Sequence, residues 1–122
     1  MGFRRDDFRA ETFMRGEVAV LRLLNEKYHA DSLEVLDAQF RKLEAMAPGG
    51  LVVVDLERVT LLSSTALRAI RAAHARLETR GGRIVAAGGG DLVRSVLKFA
   101  PFISHHATVD EAVGALAAQQ GS

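Results

Sequence analysis

Three consecutive hydroxyl residues, Ser63, Ser64 and Thr65, stand between the apolar run LVVVDLERVTLL and a stretch of helical periodicity. At a strand-to-helix turn the free backbone N–H groups and the positive end of the helix dipole favour an anionic group such as a phosphate. The same oxygens can instead accept the orphan N–H bonds of the helix's first turn, which contributes about 0.5–2 kcal/mol. Capping is the role expected of Ser63. Nothing in the run supplies a catalytic base near Ser64, and the chain has no Gly-x-Ser-x-Gly elbow, so serine nucleophile chemistry and an enzyme in general are not expected.

Other residues invite chemistry and fail its spacing. Asp55 closes an apolar strand, as a phosphoacceptor of a receiver-like domain would, but that chemistry needs a magnesium site with an acidic pair after the first strand and a lysine near the last. Here the first long strand reads VAVLRLL, and the strand from Arg83 to Ala87 is followed by glycines. Asp55 is therefore expected to support the hydroxyl turn by bonding local backbone N–H groups. Gly88-Gly89-Gly90 lacks a Gly-Lys-Ser/Thr ending, and Asp91 beside it would repel a phosphate, so a turn followed by an Asp91 cap is expected. Adjacent His105 and His106 point to opposite faces of a strand, and His29 and His74 have no ligand spacing to them; solvent-facing loop positions are expected, with no metal and no cofactor. Arg68, Arg71 and Arg76 can form a basic helical face for an acidic partner, or merely a solvated one.

Composition narrows the classes further. The 122 residues are 48% hydrophobic and 25% charged, enough for one sizeable core and too few for two domains. Lys and Arg number 16 against 15 Asp and Glu, a formal charge of +1 that makes no case for nucleic acid as a partner. The chain has no cysteine, which removes disulfides, cysteine nucleophiles and thiolate metal sites together and fits a reducing cytoplasm. The opening MGFRRDDFRAE is followed by no apolar segment of signal or membrane-spanning length, and Asp6 stands where a myristoylation signal needs Ser or Thr.

The elements that must position the hydroxyls alternate. Glu11 to Met14 and Val18 to Leu24 read as a hairpin around Arg15-Gly16. Asp31-Ser32-Leu33-Glu34 has the form of a capping box, and Leu33, Leu36, Phe40, Leu43 and Met46 continue it at helical spacing until Pro48-Gly49-Gly50. The β-branched run LVVVDL predicts a central strand covered on both faces. A helix is expected from Thr65 to Thr79, with Leu67, Ile70, Ala73 and Leu77 on its apolar face and Gly81-Gly82 as its stop. Arg83 to Ala87 is a further strand, the next helix carries Leu92, Val93, Val96 and Leu97, and Phe102-Ile103 is expected as a short edge strand. Thr108-Val109-Asp110-Glu111 forms a second capping box for a terminal helix to about Ala118. This order predicts a mixed, mostly parallel sheet of four to five strands with about four helices, an α/β architecture.

From Leu51 to about Leu116 the chain resembles a STAS domain, the module of bacterial anti-sigma-factor antagonists and of the cytoplasmic tails of sulfate transporters. The resemblance rests on VVVDLERV, LL, SSTA, LRAIRAAHARLETRGGRIVAA and TVDEAVGAL, in that order. Asn25-Glu26-Lys27-Tyr28-His29 replaces the Gly-x-Leu-Asp usual after the first strands. By alignment on the turn, Ser64 falls where the family carries its phosphorylatable Ser or Thr, Thr65 on the next small hydroxyl and Ala66 on the usual Gly, while Ser63 replaces the usual Asp.

The resemblance implies a single STAS-like domain over 1–122 that acts as a cytoplasmic, non-enzymatic interaction module. Its partner would be a kinase-type anti-sigma factor or another ATPase, docked through Ser63, Ser64, Thr65, Ala66, Arg68 and Arg71 and switched by phosphorylation of Ser64. The alternative is a constitutive subunit of a stressosome-like particle or a lipid-transport ATPase, in which the hydroxyls only cap. Whether the chain forms a homodimer stays open. Leu61, Leu62, Phe99, Phe102 and Ile103 are expected in the core by default.

Overall fold

The computed structural model describes residues 8–28 and 33–120. The expected Asp31-Ser32 cap, His29 and the first seven residues lie outside the described residues.

The alternating run Val18–Leu23 (β2) pairs antiparallel with Ala10–Arg15 (β1) across a turn at Gly16, whose φ of +62° suits a residue without Cβ. Helix α1 (Leu33–Met46) follows the segment Lys27–Tyr28 (β3) and sinks Leu36, Phe40 and Leu43 onto the sheet. Complete burial of side chains this size contributes roughly 1.5–3 kcal/mol each. The β-branched strand β4 (Leu51–Asp55) is buried at every residue and is the middle strand of a five-stranded sheet, with β1 and β2 on one side of it and two later strands on the other. Strand β4 is parallel to β2 and to β6 (Arg83–Ala87), and β6 is parallel to β7 (Ser104–His106), so only the hairpin runs antiparallel. The expected mixed, mostly parallel sheet is present, with helices α2 (Ser64–Glu78), α3 (Asp91–Leu97) and α4 (Val109–Gln120).

Strand alternation divides the core in two. Ala19, Leu21, Val52, Val54, Ile84 and Ala86 face α1, α2 and α3, whereas Val18, Val20, Leu51, Val53, Val85 and Ala87 face α4, represented by Ala112 and Leu116. Helix α2 buries Ala66, Ala69, Ile70, Ala73 and Leu77 on the first face. It stops where Gly82 N–H bonds Leu77 O; a Cβ on Gly82 would stand 2.3 Å from Gly50 O, so only glycine lets the two loops cross.

Four details depart from the sequence reading. The edge strand is Ser104–His106, not Phe102-Ile103: Phe102 lies in the preceding turn with its ring 5.5 Å from that of His74, and Ile103 is buried. His105 and His106 are thus half-buried strand residues, and His105 Nε2 lies 2.6 Å from Gly88 O. The N-cap of α3 is Gly90, with Asp91 in the first turn making no side-chain cap bond. A second, two-stranded parallel sheet pairs β3 with Leu61–Leu62 (β5), an element that no periodicity announced.

Candidate functional site

The hydroxyl turn is held from behind by the small sheet. Glu26 O accepts the N–H groups of Thr60 (2.7 Å) and Leu61 (3.0 Å) and the Thr60 hydroxyl (3.1 Å). Lys27 and Tyr28 then pair with Leu61 and Leu62 in parallel register. The chain therefore enters α2 from a fixed direction, through the segment Asn25–Tyr28 that departs from the usual STAS motif.

Within the turn the three hydroxyls divide. Ser63 is the N-cap, with extended φ and ψ of −70° and 158°, and its Oγ accepts the N–H of Ala66 at 3.0 Å. Ser64 is the first helical residue and is exposed, and its hydroxyl makes no hydrogen bond among the described residues; Thr65 beside it is half-buried. Ala66 is fully buried, which corrects its expected place on the docking surface: its methyl belongs to the core under the turn. Arg68 and Arg71 are both exposed, one turn further along α2 from Ser64 and Leu67.

Arg76 leaves the expected basic face. It donates to Glu44 Oε1 from Nε (2.8 Å) and to Oε2 from Nη2 (2.7 Å), and reaches Asp37 at 3.5 Å. The bond to Glu44 raises its pKa further, against some desolvation. Arg80 completes this clamp by donating to Glu44 O and Ala47 O, both at 2.9 Å, which satisfies carbonyls at the end of α1.

Asp55 is elsewhere. Its Oδ1 accepts the N–H of Glu57 at 3.0 Å, while Oδ2 accepts Arg22 Nε at 2.8 Å; neither oxygen meets a turn hydroxyl. The hydrogen bond to Asp55 is the main cause of an upward pKa shift at Arg22, which also lies 3.6 Å from Glu11 and 5.0 Å over the Phe13 ring. Arg22, Asp55 and Glu57 line a polar crevice of about 530 Å³ with Gly88 to Gly90 and Ala107 to Asp110, where Arg15 and Asp110 form a second pair at 2.8 Å. The Arg22–Asp55 pair was missed by sequence reasoning, although each residue is the lone charge of an apolar strand. Parallel register sets them opposite one another.

A groove of different character adjoins Ser64. Leu61, Leu62, Ser64 and Leu67 form one side and Leu92, Ser95, Val96 and Phe99 the other, around about 420 Å³. Leu61 is 37% exposed, Leu92 67% and Phe99 86%, so the core burial expected for Leu61 and Phe99 does not occur. Among the described residues no group of three or more His, Cys, Asp or Glu is placed to hold a metal ion, and no helix is long and apolar enough to cross a membrane.

No family model and no curated protein matches the sequence. Solved structures do match by fold. An anti-sigma-factor antagonist (STAS) domain protein from Planctomyces limnophilus superposes with a TM-score of 0.79 at 17% identity, over 88% of this chain and 96% of its own. An anti-sigma factor antagonist from Mycobacterium paratuberculosis gives 0.77 at 19% identity, over 91% and 95%. The Bacillus cell fate determinant SpoIIAA in its phosphorylated form gives 0.64 at 22% identity, over 88% and 96%. The fold of this chain is the STAS fold.

Proposed function

We propose that the chain, over 1–122, is a non-enzymatic regulatory module of the anti-sigma-antagonist type that docks a protein partner through the head of α2. The observation that carries the reading is the division of labour at the turn: Ser63 is committed to the cap, and Ser64 beside it offers an exposed, unbonded hydroxyl. A kinase-type anti-sigma factor or a related ATPase is the partner class, by analogy with the fold neighbours named above. Phosphorylation of Ser64 would add about −1.5 to −2 charge and new acceptors at this surface, disrupting an interface built for a neutral hydroxyl. The dipole of α2 would tolerate that charge, so the modification would change the surface without unfolding the helix.

One observation favours a constitutive role in a larger assembly instead. Ser63 replaces the acidic residue usual in STAS domains, and the first turn of α2 has no acidic residue, so no neighbouring carboxylate of that turn orients the Ser64 hydroxyl.

The two readings separate on Ser64→Asp. Under partner switching, affinity capture from the native cell brings down an ATPase of histidine-kinase-like fold with the wild-type chain and loses it with the variant, and phosphopeptide mapping finds phosphate on Ser64. Capture that is unaltered by the substitution, with Ser64 unmodified under every growth condition, defeats the switch in favour of the constitutive subunit.

A further inference from the structure

Among the described residues four large apolar side chains are exposed, and three of them, Leu61, Leu92 and Phe99, line the groove beside Ser64. Exposed apolar surface gathered in one concavity marks an interaction site rather than scattered surface noise. The charges on the groove-lining face of α2 are basic. Arg68 and Arg71 follow Ser64 and Leu67 by one helical turn, on the side of the helix that lines the groove. Arg68 makes no ion pair among the described residues, and the Arg71 guanidinium rests 5.8 Å over the Phe102 ring while remaining exposed.

We propose that this groove seats an apolar side chain of an acidic protein segment, whose carboxylates pair with Arg68 and Arg71. The proposal rests on the docking role of the turn and names the chemistry of the partner's surface. Charge decides between occupants. A second copy bound face to face would set the same basic residues against each other, because a two-fold interface opposes identical patches. A lipid surface takes a protruding apolar face, whereas this one is concave and of a size for one or two side chains. An acidic, apolar segment satisfies both features, the rim setting orientation and the groove supplying the anchor. Phosphate on Ser64 would place negative charge between Arg68 and the incoming carboxylates, which links the groove to the switch.

The test uses three amphipathic helical peptides of equal length with leucines on one face and Glu, Gln or Lys on the other, titrated into the isotopically labelled chain at low salt. The Glu peptide is expected to bind about ten-fold or more tighter than the Lys peptide, as two exposed ion pairs allow. Amide shifts should gather in residues 61–71 and 92–99. The double variant Arg68→Glu/Arg71→Glu should invert the ranking, and Leu92→Ser/Phe99→Ser should abolish binding of all three; both alter exposed residues, and an unchanged far-UV spectrum verifies their fold. Equal affinities, shifts outside the groove, or a ranking untouched by charge reversal would overturn the proposal. So would a dimer in sedimentation that Phe99→Ser dissolves, or co-flotation with phosphatidylglycerol vesicles that Leu92→Ser/Phe99→Ser removes. If the peptides fail while Ser64→Asp still abolishes ATPase capture, the groove is wrong and the turn stands; the reverse pattern leaves the groove and removes the switch.

Discussion

The crevice at Asp55 and the groove at Ser64 are concavities of similar size with opposite bookkeeping. In the crevice, Asp55 is matched by Arg22 and by the Glu57 N–H, and Arg15 by Asp110. Around the groove, apolar surface lies open, and the side chains of Ser64 and Arg68 have no partner among the described residues. A charged pocket whose groups satisfy one another is part of the fold's own support, whereas unsatisfied chemistry gathered in one place is what a second molecule can use. Polarity alone points to the crevice, whose charges are already matched.

The contrast can be broken at either cavity. The largest effect is expected at Asp55, which is 2% exposed: Asp55→Ala removes two bonds to a charged acceptor and should lower stability by about 2 kcal/mol, the share of half-exposed Arg22 being reduced by solvent. Urea denaturation measures it, and a loss below about 0.5 kcal/mol would show that the crevice supports nothing. Ser63→Ala comes next, with about 1 kcal/mol lost through the missing cap and no change in partner capture beyond what that loss explains. Ser64→Asp should act in the opposite sense on the folded state, adding about 0.3–1 kcal/mol by placing an anion at the head of α2 even as docking falls. A variant that loses stability and docking together would merge two roles that the geometry separates. Smallest of all, Leu92→Ser/Phe99→Ser should shift the urea midpoint by no more than about 0.5 kcal/mol in stability, since neither side chain is buried, and should make the chain more soluble.

Much of this architecture was legible from residue pattern because the signals were local. The alternation in VAVLRL, the spacing of Leu36, Phe40 and Leu43, and the unbroken LVVVD run each name their element and face. The cap at Ser63 was legible for the same reason, as a short polar residue directly ahead of an apolar helical repeat. What stayed hidden depends on residues far apart in the chain. The β3–β5 pair has two residues a side, too few for any period, and exists because Glu26 O gathers the N–H groups of Thr60 and Leu61. Strand β7 is set by its register against Val85 to Ala87, which draws the two histidines into the sheet and leaves Phe102 for His74. Arg76 looked like its neighbours Arg68 and Arg71 until α1 brought Glu44 alongside. Phe99 has an ordinary core residue's composition and none of its burial, because helix α3 ends after only seven residues and turns its Val93 and Leu97 inward instead.

The clamp of Arg76 and Arg80 on the end of α1 has a consequence for how any message leaves this protein. With its tail bolted to a neighbouring helix and its underside packed on the sheet, α2 has little freedom to slide or tilt when something lands on its head. Whatever is written at Ser64 would then be read where it is written, as altered paint on a fixed wall, and not relayed through the interior as a change of shape.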